Sequence, residues 1–309
     1  MIWSISSFKE FQKCERKWFL DKKLSSRSPK SIYRQQVYFL SQLETIDAWR
    51  GQIVDYTLSE YVIPKMQKKQ TPSYDATFDY ARKIMKARYD FALSEGHKEP
   101  KLKKTEHYYE YAPLYDVEYP SGDLKPKLKK AWDEIVVSLT NFYNNKELIA
   151  DLKKANYLIT QRTLQYDSHD TTIRGVPDLI AFYPDEPPHI YDWKVHSSDT
   201  KTYTEQLLIY AQSLVTCWSH SDFEEYIKGY KVNDIRLSEF QLLTNKIRNY
   251  SVTEDYIERI NDYIAGSIEK MTLKSCHKKF EELSIDDFEK TPNLDNCQSC
   301  PFKKICKED

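Results

Sequence analysis

Apolar positions along the 309-residue chain follow a helical period over most of its first half and a two-residue period in its centre. Phe8, Phe11, Trp18 and Phe19 recur at helical spacing, which predicts an N-terminal helix starting near Ser7, capped by Ser4 or Ser6 and containing Cys14. Residues 31–95 continue as helices with a break at Pro72. Residues 96–126 combine Pro, Gly and many tyrosines with little period and read as a connection or flexible flap. Leu128, Trp132, Ile135, Val136, Leu139, Phe142 and Tyr143 predict a long helix over 127–144, covering one face of a sheet. Strands follow at Tyr157 to Tyr166, Thr171 to Tyr183 and His189 to His196. A polar turn at Asp167 to Asp170, with His169, separates the first two, and Pro184-Asp185-Glu186-Pro187-Pro188 separates the last two. Leu207, Leu208, Tyr210, Ala211, Leu214 and Val215 predict a helix over Tyr203 to Trp218 packed on the sheet. Strands over Ile227 to Leu243 and Ile247 to Val252, turning at Asn245-Lys246, precede a final helix, Glu254 to Met271, capped by Thr253.

Charged residues inside two of these apolar runs change the picture. Asp178 lies within Val176 to Phe182, and Asp192 and Lys194 lie within Ile190 to Val195. Alternation along a strand puts Asp192 and Lys194 on one face and Trp193 on the other. Buried charges are costly unless compensated. Two acids converging on one face invite a divalent cation, which would screen a phosphate and lower the pKa of a bound water. Lys194 would then orient that water or stabilise developing charge. The structural alternative is a hairpin in which Lys194 merely pairs with Asp192.

Lys and Arg total 46 against 47 Asp and Glu, a net charge of −1, so a nucleic-acid partner would need a local basic track. Lys101-Leu102-Lys103-Lys104, Lys125-Pro126-Lys127-Leu128-Lys129-Lys130, and the set Arg16, Lys17, Lys22, Lys23, Arg27, Lys30 and Arg34 are candidates, although a charge run is more often a solvated face. With six glycines and neither a GxxxxGK[ST] nor a GxGxxG pattern, the chain reads as neither a P-loop ATPase nor a Rossmann enzyme. No apolar run is long enough to span a bilayer and the N-terminus lacks a signal pattern, so a soluble, cytoplasmic protein without a membrane partner is expected. In a reducing compartment, the six cysteines point to metal or cluster ligation. Cys297, Cys300 and Cys306 form C-x2-C-x5-C, with Pro301 after the second, and Cys14 is the candidate fourth ligand. Four thiolates suit zinc or an iron–sulfur cluster equally by count. Cys276-His277 with Cys297 and Cys300 keeps a zinc ribbon open.

Pro177-Asp178 followed by Asp192-Trp193-Lys194 resembles the PD-(D/E)XK nuclease superfamily, and Gln206 with Tyr210 resembles the QxxxY motif of its RecB-like branch. Ser6-Ser7-Phe8 followed by Cys14 resembles the N-terminal cysteine motif of cluster-bearing members, with Glu15 where Pro is frequent. Gly51 to Asp55 resembles the Gly-x-x-x-His element of the family, with Asp55, a hard ligand suited to magnesium, in place of the imidazole. Gln161 stands roughly where the family often has Glu, and no catalytic role is carried onto it.

The resemblance implies an α/β, restriction-endonuclease-like fold, a mixed central sheet flanked by helices with an N-terminal helical insertion. The domains would be residues 1–30 (cluster cysteine), 31–150 (helical roof), 151–275 (nuclease core) and 276–309 (cysteine-triplet tail). It implies a Mg2+- or Mn2+-dependent deoxyribonuclease. Asp178, Asp192, Asp55 and the Trp193 carbonyl would hold the metal, Lys194 would position water, and Gln206 and Tyr210 would hold the lysine or the DNA backbone. Cys14, Cys297, Cys300 and Cys306 would hold a structural [4Fe–4S] cluster. Single-stranded DNA or DNA ends would be the substrate, with a helicase, ATPase or other nuclease-complex subunit as partner, in repair, CRISPR adaptation or phage defence. The competing expectation is an inactive cluster- or zinc-containing DNA-binding subunit.

Overall fold

The protein is described by a computed structural model covering residues 2–28, 30–99, 101–102, 104–196, 203–275 and 282–308. Its packing divides the chain into two units. The first comprises Met1–Ile5, Arg50–Ala81 and Trp132–Ile268, and the second Ser6–Trp49, Arg82–Ala131 and Glu269–Asp309.

The first unit holds the strands β1 (Ile2–Trp3), β2 (Tyr157–Thr160), β3 (Leu164–Ser168), β4 (Thr171–Gly175), β5 (Leu179–Phe182), β6 (His189–Lys194), β7 (Arg236–Gln241) and β8 (Lys246–Tyr250). They form a three-stranded sheet, β1-β4-β3, and a five-stranded sheet, β2-β5-β6-β7-β8. The β6–β7 pair and the β1–β4 pair are parallel and the others antiparallel, giving the expected mixed architecture.

The central hairpin is one pairing split between the two sheets. Tyr157 pairs with Phe182, Thr160 with Leu179, Leu164 with Gly175 and Ser168 with Thr171, so a single register runs from end to end. His169 and Asp170 close it with φ of 51° and 54°, the two left-handed residues that a tight hairpin turn of primed type requires. The two long strands predicted from sequence, Tyr157 to Tyr166 and Thr171 to Tyr183, are therefore each interrupted. Pro177 cannot donate to the ladder, and Gln161 on the opposite strand turns left-handed with φ 50°. The strand predicted from Ile227 also starts later, at Arg236. Gly229 (φ 87°) and a short turn of helix, Val232–Asp234, precede it, with the Asp234 carboxylate accepting from Lys231 N at 2.7 Å. β1 escapes sequence reading because two residues carry no period.

Helices cover both faces of the five-stranded sheet. Trp193 packs edge-on against Phe142 of helix Lys125–Asn144, with ring centroids 6.0 Å apart. The opposite face receives helix Thr204–Thr216, which buries Leu207, Leu208, Ile209, Tyr210, Ala211 and Leu214. Gly175 allows that helix to approach, since a Cβ there would stand 3.1 Å from the Tyr210 ring and 3.0 Å from Ser213 Oγ.

In the second unit, Leu20, Val37, Leu40, Leu43, Tyr115, Tyr119, Phe302 and Ile305 form one apolar cluster. The predicted N-terminal helix is broken: helix Ile5–Lys13 stops, Cys14 is extended (φ −165°, ψ 107°), and a new helix, Glu15–Phe19, begins behind it. The basic set from Arg16 to Arg34 is largely answered locally. Arg16 is buried against Asp286 (3.1 Å) and the Phe288 carbonyl, Lys17 pairs with Glu10 at 2.9 Å, and Lys22 with Asp21 at 2.6 Å. Among the described residues no helix is long and apolar enough to cross a membrane.

Asp151, on helix Lys146–Lys154, ties that helix to the sheet. It accepts from Tyr183, from Tyr191 OH at 2.6 Å and from His189 Nδ1 at 3.2 Å. Burial opposes its ionisation, yet the hydrogen bonds from His189, Tyr183 and Tyr191 outweigh burial and hold it well below the usual carboxylate range. A folded pKa below the unfolded one adds stability that is full above about pH 4 and fades as pH falls through the folded value. Asp151→Asn is expected to cost about 1–3 kcal/mol in urea unfolding at pH 7. The gap from wild type is expected to narrow below about pH 4, and a gap constant with pH would contradict this account.

Candidate active site and cysteine cavity

The break in the central hairpin exposes the chemistry. Continuing the registers through it sets Gln161 opposite Asp178, and Asp178 opposite Asp192, while Asp192 pairs with Glu239 and Glu239 with Arg248. These residues thus form one transverse row across five strands, and cross-strand neighbours point to the same side. Asp178 and Asp192 therefore share a face, as the two-acid reading requires.

Each charge in the row has a defined partner. Asp178 Oδ2 accepts from the Trp193 backbone N–H at 2.7 Å, and Asp178 Oδ1 accepts from Gln161 Nε2 at 3.1 Å. The same Gln161 Nε2 donates to Asp55 Oδ1 at 2.8 Å, which joins Asp55 to the row. Asp55 lies on helix Ile46–Thr57, anchored by Arg50, which bonds to Glu134 and to the Val195 carbonyl just beyond Lys194. Gln206 Nε2 donates to Asp192 Oδ1 at 3.2 Å and to the Tyr210 hydroxyl at 2.6 Å. Lys194 is ion-paired with Asp192 Oδ2, and its Nζ stands 4.4 Å from the Tyr203 ring centroid. Glu239, fully buried, accepts from Tyr250 OH at 2.8 Å and pairs with Arg248 at 3.3 Å.

Burial and crowding raise both central acids. Burial, then the nearby Asp55 charge, pushes Asp178 up to about 6 against the pull of Lys194, Trp193 N–H and Gln161. Burial, then Asp178 and, more weakly, Glu239, pushes Asp192 up to about 7 despite Lys194. Burial would lower Lys194, but Asp192 and Asp178 outweigh it and hold the ammonium above its usual range. Burial, followed by Asp192 and Asp178, lifts Tyr210 well above the ordinary phenol, so it remains protonated.

The donor chemistry fits a hard divalent cation: the carboxylates of Asp55, Asp178 and Asp192 are joined through Gln161 and neighbouring strands. Asp192 Oδ2 is buried and, among the described residues, is contacted by Lys194, which leaves a lone pair with acceptor capacity. As the side chains stand, no group of three or more His, Cys, Asp or Glu among the described residues is arranged to hold a metal ion. Gln161 and Lys194 instead occupy the carboxylates.

The cysteines come together separately, within the second unit. Cys14, Cys297, Cys300 and Cys306 all line one cavity of about 420 Å3, with Lys13, Lys17 and Leu20 among its other walls. All four are free thiols and half-buried. Cys14 caps helix Glu15–Phe19, its Sγ accepting from Lys17 N at 3.4 Å. Tyr115 OH donates to the Gln298 carbonyl at 2.5 Å and Tyr119 OH to the Pro301 carbonyl at 2.7 Å, fixing the triplet's loop. Burial chiefly raises the Cys300 thiol, and Cys14 and Cys306 raise it further. Four thiols around one cavity are donor chemistry that suits zinc or an iron–sulfur cluster, although as the side chains stand no group of cysteines among the described residues is arranged to hold a metal ion. Cys276 and His277 of the zinc-ribbon alternative lie outside the described residues.

Sequence reading named the acids, the lysine, the Gln206–Tyr210 pair and the four cysteines; the structure brings the acids, Lys194, Gln206 and Tyr210 into one contact network and the cysteines around one cavity. It missed the bridging part of Gln161, the contact of Tyr203 with Lys194, and Glu239 beside Asp192. Counting back from the His169-Asp170 turn would have set Gln161 opposite Asp178. Glu239 depended on a parallel pairing between β6 and β7 that no local pattern encodes.

No curated protein matches the chain. Among solved structures, a candidate exonuclease from Eubacterium rectale aligns over 89% of this chain and 93% of its own at 11% identity, with a TM-score of 0.35. The structure of SSO0001 aligns over 62% of this chain and 77% of its own at 14% identity, with a TM-score of 0.26. The sequence pattern of the PD-(D/E)XK nuclease superfamily matches residues 2–307. That match spans both the carboxylate row and the cysteine cavity, and the chain belongs to the PD-(D/E)XK nuclease superfamily.

Proposed function

We propose that the protein is a Mg2+- or Mn2+-dependent nuclease of the RecB-like type that hydrolyses DNA phosphodiester bonds, acting on single strands or ends, with a structural [4Fe–4S] cluster. The observation that carries the reading is the transverse row: Asp178 and Asp192 on adjacent strands, facing one side, with Lys194 on Asp192 and Asp55 joined through Gln161.

Asp55, Asp178, Asp192 and the Trp193 carbonyl would hold the ion. A bound divalent cation supplies charge screening at the phosphate and a lowered pKa for water. The chain's own residues do the rest. Lys194, kept charged by two acids, presents N–H donors to a water or to a phosphoryl oxygen as negative charge develops there. It does not act as the base while it remains an ammonium, so the proton passes to solvent or to the phosphate itself. Gln206 holds Asp192 and Tyr210 in place with one amide nitrogen, and Tyr203 limits the directions open to the lysine. Cys14, Cys297, Cys300 and Cys306 would hold the cluster, joining the start of the chain to its tail as a structural staple within the second unit. A helicase or ATPase partner, and a cytoplasmic setting, belong to the same reading.

Asp192→Ala and Lys194→Ala are each expected to reduce Mg2+- or Mn2+-dependent cleavage of end-labelled DNA by about 10²-fold or more while leaving DNA binding in place. A wild-type protein that binds DNA but cleaves neither single nor double strands with either ion would favour an inactive binding subunit. Because Asp178 and Asp192 are raised to about 6 and 7, the ion-free protein takes up protons there as pH falls through that range. Folded pKa values above the unfolded one mean that ionising these acids costs stability as pH rises. Mg2+ is therefore expected to raise the melting temperature more at pH 8 than at pH 6, and Asp192→Ala to abolish the gain; a pH-independent gain would exclude titration of this pair. Anaerobically prepared protein is expected to be brown with about four irons per chain, and Cys306→Ser to lose the colour. Colourless protein with zinc as its sole metal would remove the cluster.

A further inference from the structure

Gln161 combines three features that its residue type alone does not call for. Its backbone is left-handed, φ 50°, a conformation that a side chain beyond Cβ makes unfavourable. Its backbone N–H is spent on the Asp178 carbonyl at 3.3 Å, which keeps the strained residue opposite Asp178. Its side-chain amide nitrogen lies between Asp55 Oδ1 at 2.8 Å and Asp178 Oδ1 at 3.1 Å. Ionised carboxylates only accept, so the atom between them has to be the NH2 group, and both of its N–H bonds are used. Backbone strain held against a functional side chain is the pattern in which an observed outlier points to a role.

We propose that the Gln161 carboxamide is a displaceable stand-in for the divalent cation, holding Asp55 and Asp178 together in the ion-free protein and competing with the ion for the same two oxygens. This rests on the reading of the carboxylate row as a metal site. A magnesium-sized ion takes oxygen ligands at about 2.0–2.1 Å. An ion held by the Asp55 and Asp178 carboxylates would compete with the amide nitrogen that now lies between them. The amide supplies partial positive charge, which eases the repulsion between Asp55 and Asp178, a repulsion that contributes to the raised state of Asp178. It also raises the ion concentration at which the site fills, because two charge-assisted hydrogen bonds are given up on loading. Residues 158–163, Gln161 among them, line a surface depression of about 490 Å3 beside the row. A Glu at this position could not perform this role, since it has no N–H to donate and would add to the repulsion. Gln161 is thus a positioning residue and a threshold setter for the ion.

The test uses Mn2+ binding to the full-length protein, followed by the electron paramagnetic resonance of free Mn2+, together with the melting temperature of the ion-free protein. Gln161→Met keeps the bulk and removes the donors. It is expected to lower the ion-free melting temperature and to tighten Mn2+ binding by about tenfold, equivalent to about 1.4 kcal/mol. Gln161→Ala, which cannot clash, is expected to do the same and serves where Met disturbs the strand. Unchanged or weaker Mn2+ binding in a folded variant overturns the stand-in, weaker binding meaning that the amide is itself a ligand. Wild-type protein whose Mn2+ binding survives Asp192→Ala, or that binds none, removes the metal-site reading and the stand-in with it.

Discussion

Like charges brought onto one face of a buried sheet repel and lose their water, and that constraint governs the first unit. Asp178, Asp192 and Glu239 are successive members of one transverse row, with Asp55 added from a helix. Each is answered differently. Glu239 is neutralised by Arg248 and Tyr250 from the edge strand and has no share in an open face. Asp192 has Lys194 on one oxygen and Gln206 on the other. Asp178 has a backbone N–H on one oxygen and an amide on the other. Hydrogen bonds thus answer both oxygens of Asp178 at the hairpin break, while Asp192, between Asp178 and Glu239, is raised further, to about 7 against about 6.

The break follows from a small set of residues. Pro177 removes a donor, Gln161 takes up a left-handed backbone, and one register survives on both sides of them. Two short sheets result in place of one long hairpin, and the residue next to the missing donor is the acid. The Pro-Asp pair thus has a mechanical reading: proline opens the ladder, and aspartate uses the opening. Parallel pairing of β6 with β7 then keeps Lys194 beside Gln241 and Asp192 beside Glu239, so the lysine leaves the row and reaches back to Asp192.

Much of this was legible in the chain itself. Alternation in Ile190 to Val195 predicted that Asp192 and Lys194 face away from Trp193, and Trp193 does pack on Phe142 while Gln206 meets Asp192 on the other side. The cysteine spacing predicted a triplet completed from the opposite end of the chain, and the four thiols line one cavity. Strand limits were less legible. Period-two patterns persisted through Gln161 and Pro177 because the register persists, although the hydrogen bonds do not. The Ile227 stretch misled because Ile227, Val232 and Ile235 are apolar enough for a strand, while Gly229 and the Asp234 cap bend the chain there. Continuity of the N-terminal helix failed at Cys14, whose side chain serves as a cap and whose extended backbone turns the thiol toward the cavity wall.

The aspartates of the first unit show how one residue type is set to opposite tasks. Asp151 is half-buried and Asp192 buried, and burial raises both. Asp151 is surrounded by two hydroxyl donors and an imidazole, with the Arg236 guanidinium 3.6 Å away, so hydrogen bonding wins and it stays ionised. Asp192 has one amide and one ammonium but faces Asp178 and Glu239, so repulsion and burial win. A carboxylate fully supplied with donors gains nothing from a cation and is held for stability. One that is raised and still has acceptor capacity gains most from a cation, because the ion removes the cause of the rise. By that criterion an ion at the row from Asp178 to Asp192 would lower the free energy of the fold, whereas the network around Asp151 would gain nothing from one.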